Sequence, residues 1–438
     1  MNPVRRPLYA VLLAAAFGPT APTRLAAQSV PLPVVTLGEA RRRAAASDPD
    51  VIAARADLRT AVWERRAAQA DLFTPNLSAT TNYTQYSGPF FSFTGSPSST
   101  VASAAVQASY TLLGSGKTAE RRRADASLAT AEAGAIAAGF RTALEADAAY
   151  YGVLAEGELT RVAAERLRRA TEQLGIARVR VQAGETIATD SLQLLLEVNR
   201  ARLAVVQRDS ALAVARLRLG RVVGLAGPAD AAPLDTVAPR ELPLTLEDAS
   251  TELRARGPEL EAVRAAERQA EAAFAAQRAA YLPTVSVGGA WAAYDATFFP
   301  SYVRRSSLAL TVTVPLWDAG RRELSAARAR GERDAARARR EDRERWAAEA
   351  MAEAWYGYRT ARAGIELALV AAQASAETYR VQGARYREGA TTILDLLEAQ
   401  VALGEAEAAL VQARQAARLS LARIEALLGR RLFPDPNP

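Results

Sequence analysis

Apolar and polar side chains alternate with period two in four stretches of the chain. From Thr100 to Leu113, Ala102, Ala104, Val106, Ala108, Tyr110 and Leu112 stand opposite Ser103, Gln107, Ser109 and Thr111. Ser306 to Pro315 sets Leu308, Leu310, Val312 and Val314 against Ser307, Thr311 and Thr313. Asn76 to Ser87 and Thr284 to Ala296 follow the same rule. Such alternation predicts strands with one apolar and one polar face, paired as hairpins over 76–113 and 284–315. Gly88–Ser99, with Phe90, Phe91 and Phe93, reads as the first connecting loop. Thr297–Arg305, with Phe298, Phe299 and Tyr302, reads as the second.

The remainder is written in helix formers. Residues 36–73 predict a helix that Pro75 stops. The stretches 117–183 and 321–388 predict two rods, each about 100 Å long at 1.5 Å per residue. In the second rod Met351, Tyr358, Ile365, Ala372, Tyr379 and Tyr386 recur every seven residues, with Ala354, Ala361, Ala368 and Ser375 at the partner positions. A sustained seven-residue repeat predicts helices in side-by-side coiled-coil contact. Shorter helices return over 185–223 and 390–428.

These elements occur twice. Thr36-Leu37-Gly38-Glu39-Ala40 opens one passage and Thr245-Leu246-Glu247-Asp248-Ala249 opens another, 209 residues later. Pro49 and Pro258, then Pro75 and Pro283, then Gly116 and Gly320, then Gly184 and Gly389 punctuate both. The period is too long for a solenoid unit and indicates a duplicated module. The expected organisation is a first repeat over 28–224, a linker over 225–244, a second repeat over 245–429 and a disordered tail over 430–438. Each repeat reads helix, β-hairpin, long helix, helix, and the four glycines mark its turns.

Composition narrows the function. Arg5 and Arg6, the apolar run Leu8–Phe17 and the small residues before position 28 read as a secretory signal over 1–27. That run is too short for a membrane anchor, and no other segment reaches the roughly 18 apolar residues of a spanning helix. The chain holds no Cys and no His, which excludes disulfides, thiol nucleophiles, imidazole bases and soft metal sites. No cofactor or metal is expected. The formal charge of +7 falls by three with the signal, and the remaining Arg residues are interleaved with Glu and Asp along helix faces. That pattern describes solvated helices rather than a nucleic-acid surface. Gly114-Ser115-Gly116-Lys117-Thr118 resembles the end of a phosphate-binding loop, but Thr111 occupies the position of its first glycine. No nucleophile–base pair supports an enzyme.

Four strands cannot close a barrel, and an open edge in lipid leaves backbone groups unpaired at several kcal/mol each. Three copies supply twelve strands, an even number within the range of outer-membrane barrels. The expected fold therefore combines a membrane β-barrel with a long α-helical barrel, shared by a homotrimer. Leu308, Leu310, Val312 and Val314 would face lipid, and Ser307, Thr311 and Thr313 the lumen.

At this point several stretches match a family. They are Thr36-Leu37-x-Glu39-Ala40 with Asp48-Pro49-Asp50, Tyr281-Leu282-Pro283, Val314-Pro315-Leu316-Trp317-Asp318-Ala319-Gly320, and the run from Tyr386 to Gln400. Across nearly all of the chain after the signal, the sequence resembles the TolC-like outer-membrane efflux proteins. The first repeat departs from the pattern, with Thr111-Leu112-Leu113 where the second has Pro315-Leu316-Trp317. The resemblance implies an outer-membrane trimer with a periplasmic tunnel whose end docks an adaptor protein and an inner-membrane pump. A periplasmic coiled-coil adaptor or scaffold without a membrane span is the alternative, although adaptors lack paired outer-membrane hairpins.

Asp395 and Glu398 lie three apart on one helix face, and three copies would stack them as two acidic rings. The resemblance implies that such rings stand at the closed tunnel entrance, with Asp190 as the matching residue of the first repeat and Gln193 beside it. It further implies a tie in which Tyr386 donates to Asp190. Thr391 replaces an arginine that some members carry there, so any lock is weaker or built differently. Tyr386→Phe is expected to raise leak conductance.

Overall fold

The computed structural model describes residues 32–91, 97–234, 240–295 and 303–433. The expected signal over 1–27, Phe93, Phe298, Phe299, Tyr302 and the end of the tail lie outside the described residues. Those from Pro33 onward belong to one unit.

Each repeat opens with two helices, not one. In the first, β1 (Val34–Val35) leads to α1 (Leu37–Ser47), and α2 (Pro49–Phe73) follows. Asp48 divides them. Its backbone is extended, as the residue before proline must be. Its carboxylate caps α2 by accepting from Asp50 N at 2.8 Å and Val51 N at 3.1 Å. Pro49 suits the first helical position because its missing N–H has no partner there anyway. In the second repeat Gly257-Pro258 divides α5 (Leu246–Arg256) from α6 (Pro258–Ala279) at the matching proline, without a side-chain cap.

The hairpins merge into one sheet. β2 (Asn76–Phe91) and β3 (Pro97–Leu113) come from the first repeat, β5 (Thr284–Asp295) and β6 (Val303–Thr313) from the second. All neighbours are antiparallel, in the order β2-β3-β5-β6. Register pairs Leu77 with Ala108, Tyr110 with Val287, and Val287 with Leu310. Directly paired residues share a face, so the apolar sets of all four strands fall on one side. The first loop is shorter than the sequence suggested. A register shift between Gln85 and Phe90 absorbs Gly88-Pro89 and lets β2 continue to Phe91. At the other end β6 stops at Thr313, so Val314 lies beyond the strand.

Below the sheet run α3 (Ser115–Gln182) and α7 (Arg321–Arg387), of 68 and 67 residues. Gly116 is not the turn glycine before α3. It sits inside the first helical turn, and Gly114, in extended backbone, makes the junction. Gly320, at φ 76°, does occupy the turn before α7, a left-handed conformation that suits glycine. The chain returns through α4 (Ala188–Val222) and α8 (Ile393–Leu428). α3 packs on both α4 and α8, and α8 packs on α7, giving the row α4–α3–α8–α7. The seven-residue repeat of α7 turns inward: Met351, Ala354, Tyr358 and Ala361 are buried in a core with Ala417 and Ile424 of α8.

Midway along the rods each repeat builds a matching core. β4 (Asp230–Ala231) pairs with β1 beside the first. Tyr150 donates its hydroxyl to the Ala232 carbonyl, and Tyr358, 208 positions on, donates to the Arg240 carbonyl, both at 2.6 Å. A buried carboxylate, Asp147, holds Arg41 of α1 at 2.5 and 2.9 Å and Arg431 of the C-terminal segment at 3.4 Å. Among the described residues no helix is long and apolar enough to cross a membrane.

Candidate functional site

The two turns at the far ends of the rods share one backbone design. Gly184 and Gly389 take φ of 76° and 74°. Glu185 N reaches back to Arg180 O at 2.9 Å, and Ala390 N to Arg385 O at 2.8 Å. Each turn thus satisfies a terminal carbonyl of its rod through a left-handed glycine.

The side chains then diverge. In the second turn Thr392 caps α8, and a reciprocal capping box forms with Asp395. One oxygen of Asp395 accepts from Thr391 Oγ1 at 2.8 Å, Thr392 Oγ1 at 2.6 Å and Thr392 N at 3.0 Å. These bonds, led by the Thr392 hydroxyl, hold the Asp395 carboxyl below the usual carboxylate range. Asp395 and Glu398 are both exposed. Thr391 is spent on this cap and does not reach the first turn.

In the first turn Ile187 stands at the helix start and offers no side-chain cap. Asp190, the counterpart of Asp395, is instead drawn inward to 9% exposure, where it accepts from Thr186 Oγ1 at 2.5 Å. It approaches Tyr386 of the second repeat. That ring is 2% exposed, packed among Leu174 and Ala177 of α3, Leu194 and Val198 of α4, and Ile393 and Leu396 of α8. The phenol is pushed up first by burial and second by the Asp190 charge. Its hydroxyl has no hydrogen bond of normal geometry, and hydrogen bonding to Asp190 is the smallest of the causes that raise it, below burial and charge.

The residue that sequence reasoning missed is Arg180, in the last turn of α3. Its guanidinium donates to the Tyr386 carbonyl and lies 5.1 Å from the Tyr386 ring centroid. A cation four residues before the turn glycine, at the negative end of a helix, was the available signal.

Just past the two turns, an open groove between α4 and α8 is lined by Leu196, Arg200, Leu394, Glu398, Val401 and Glu405. Its carboxylates can attract cations, but nothing in it pairs a nucleophile with a base. Among the described residues no group of three or more acids is placed to hold a metal. The decoy motif near Gly116 is a strand-to-rod joint: Lys117 donates to the Asp71 carbonyl and lies 4.1 Å from the Tyr110 ring centroid.

Known proteins share this architecture. The family model described as outer membrane efflux protein matches residues 40–225 and 249–430. The outer membrane protein OprJ of Pseudomonas aeruginosa is 28% identical over 269 residues, covering 59% of this chain and 56% of OprJ. Protein CyaE of Bordetella pertussis is 31% identical over 265 residues, covering 58% and 54%. The matched stretch spans about half the length of these curated relatives. The Campylobacter jejuni CmeC outer membrane channel superposes with a TM-score of 0.79 at 15% identity, over 91% of this chain and 87% of that one.

Proposed function

Because the chain belongs to the outer membrane efflux protein family, we propose that it is the outer-membrane exit duct of a tripartite efflux or secretion system. It is a passive trimeric channel joining a periplasmic tunnel to the cell exterior. One observation carries the reading: a four-stranded sheet, apolar on one face, ends in β2 on one side and β6 on the other. In hydrocarbon each unpaired backbone group at those edges costs several kcal/mol. Pairing β6 of one copy with β2 of the next removes both edges, and three copies close twelve strands with cyclic symmetry.

The helical row also asks for partners. Its outer members carry exposed apolar seams at heptad spacing: Leu192, Leu203 and Val206 on α4, and Tyr356, Leu367, Val370 and Val381 on α7. An exposed coiled-coil seam asks for a facing helix. The seam on α7 of one copy meets that on α4 of its neighbour and closes the tunnel wall.

In this arrangement the turns near Gly184 and Gly389 form the periplasmic entrance, where an adaptor protein and an inner-membrane pump engage. Asp395 and Glu398 become two acidic rings that favour cations at the constriction. The duct performs no chemistry, and the pump supplies the energy.

The test is the state of the purified protein. It should fractionate with the outer membrane, run as a heat-modifiable trimer and conduct ions in planar bilayers. Asp395→Asn with Glu398→Gln should lower its preference for cations, read as reversal potential under a salt gradient. A water-soluble monomer without channel activity would overturn the reading.

A further inference from the structure

The two rod ends belong to different repeats and are held together at one place by a polar side chain that reaches a backbone group. Arg180 ends α3 with its side chain only 13% exposed. It spans 206 residues of sequence to donate to the Tyr386 carbonyl, in the last turn of α7. The same guanidinium sits over the Tyr386 ring, and its Nε lies 3.4 Å from the exposed Glu185 carboxylate. A β-carbon added at Gly389 would fall 3.3 Å from Arg180 Nη2, so the second turn passes close over this group. The carbonyl it binds lies at the negative end of α7, where a cation is favoured. Asp190 flanks the same tyrosine.

We propose that Arg180 is the latch of the entrance: it fixes the second turn against the first and so sets the bore. This rests on the duct reading above. The latch grips a backbone carbonyl and a ring face, neither of which Tyr386→Phe removes. The hydroxyl, which that change does remove, has no hydrogen bond of normal geometry. Arg180 is therefore a positioning residue, and its loss should matter more than the loss of the Tyr386 hydroxyl.

The experiment compares full-length trimers of wild type, Arg180→Ala, Arg180→Lys and Tyr386→Phe in planar bilayers. Removing a charge-assisted hydrogen bond is expected to raise open probability roughly tenfold or more in Arg180→Ala. Arg180→Lys keeps the charge but loses the flat stacking surface, and should recover part of the closure. Tyr386→Phe should lie nearer to wild type than Arg180→Ala. Heat-modifiability of the trimer should be unchanged in all three, which separates a latch from a general fold defect. A conducting wild-type trimer whose Arg180→Ala variant behaves identically sinks the latch and leaves the duct standing. So does Tyr386→Phe opening the channel as far as Arg180→Ala, or Arg180→Lys showing no recovery. A wild type that neither trimerises nor conducts removes the duct reading itself. If Arg180→Ala yields no folded trimer, Arg180→Gln, which removes the charge and keeps most of the stem, replaces it and must raise open probability.

Discussion

The two rod-end turns begin from one backbone and finish as different devices. Both use a left-handed glycine and a bond back to an arginine carbonyl. Aligned on the glycines, Thr186 matches Thr391, Ile187 matches Thr392 and Asp190 matches Asp395. The decisive difference is at the helix start. Thr392 recruits Asp395 into a capping box on the surface. Ile187 cannot, so Asp190 keeps only the Thr186 bond, the counterpart of Thr391–Asp395, and lies against the Tyr386 pocket. Both aspartates thus keep one threonine bond of their own turn, and the one without a cap hydroxyl lies against the neighbouring repeat.

The comparison can be broken at the glycines first. Alanine at either position pays the left-handed penalty of about 1–2 kcal/mol. Gly389→Ala should cost more than Gly184→Ala, because its new methyl meets Arg180 while Gly184 has open space around it. Hydrogen exchange of the Glu185 and Ala390 amides reads the two opening energies, and equal values would show that Arg180 yields freely.

The caps come next. Thr392→Ala should destabilise the start of α8 by about 1 kcal/mol, whereas Ile187→Ala should change the start of α4 little, there being no cap to lose. The sharper variant is Ile187→Thr. It should install the missing box, draw Asp190 outward and lower the Tyr386 phenol pKa, followed by ultraviolet titration. A phenol that titrates as before would mean that the cap does not govern the aspartate.

The smallest effect is with pH. Asp395 has a depressed carboxyl pKa in the folded chain. Its contribution is therefore fully present above the ordinary aspartate range and is lost as pH falls through the lowered value. Protection of the Asp395 and Leu396 amides should persist into that acid window and then decline. Thr392→Val should move the decline to higher pH.

Much of this was written in the sequence. Alternation from Thr100 to Leu113 located a strand and its two faces, because the period of a pleated strand is fixed. It could not say that β3 pairs with β5 of the other repeat, since pairing is a long-range choice. Asp48-Pro49 signalled a break that the run of helix formers around it obscured. Gly116 drew attention as the conspicuous glycine, while extended Gly114 made the junction. The acidic pair Asp395 and Glu398 was visible by spacing, but the cap that occupies Asp395 depends on Thr391 and Thr392 together. Arg180 was the hardest to see: its partner is a backbone carbonyl, which carries no side-chain identity.

The unmatched borders of the sheet, at β2 and β6, also bear on how the molecule is made. An unassembled chain presents two adhesive margins to every other copy. In the proposed trimer two subunits would still leave margins bare. Insertion and assembly must then be one cooperative event, steeply dependent on subunit supply. In the proposed trimer, halving the supply of this chain would lower the closed assembly by more than half.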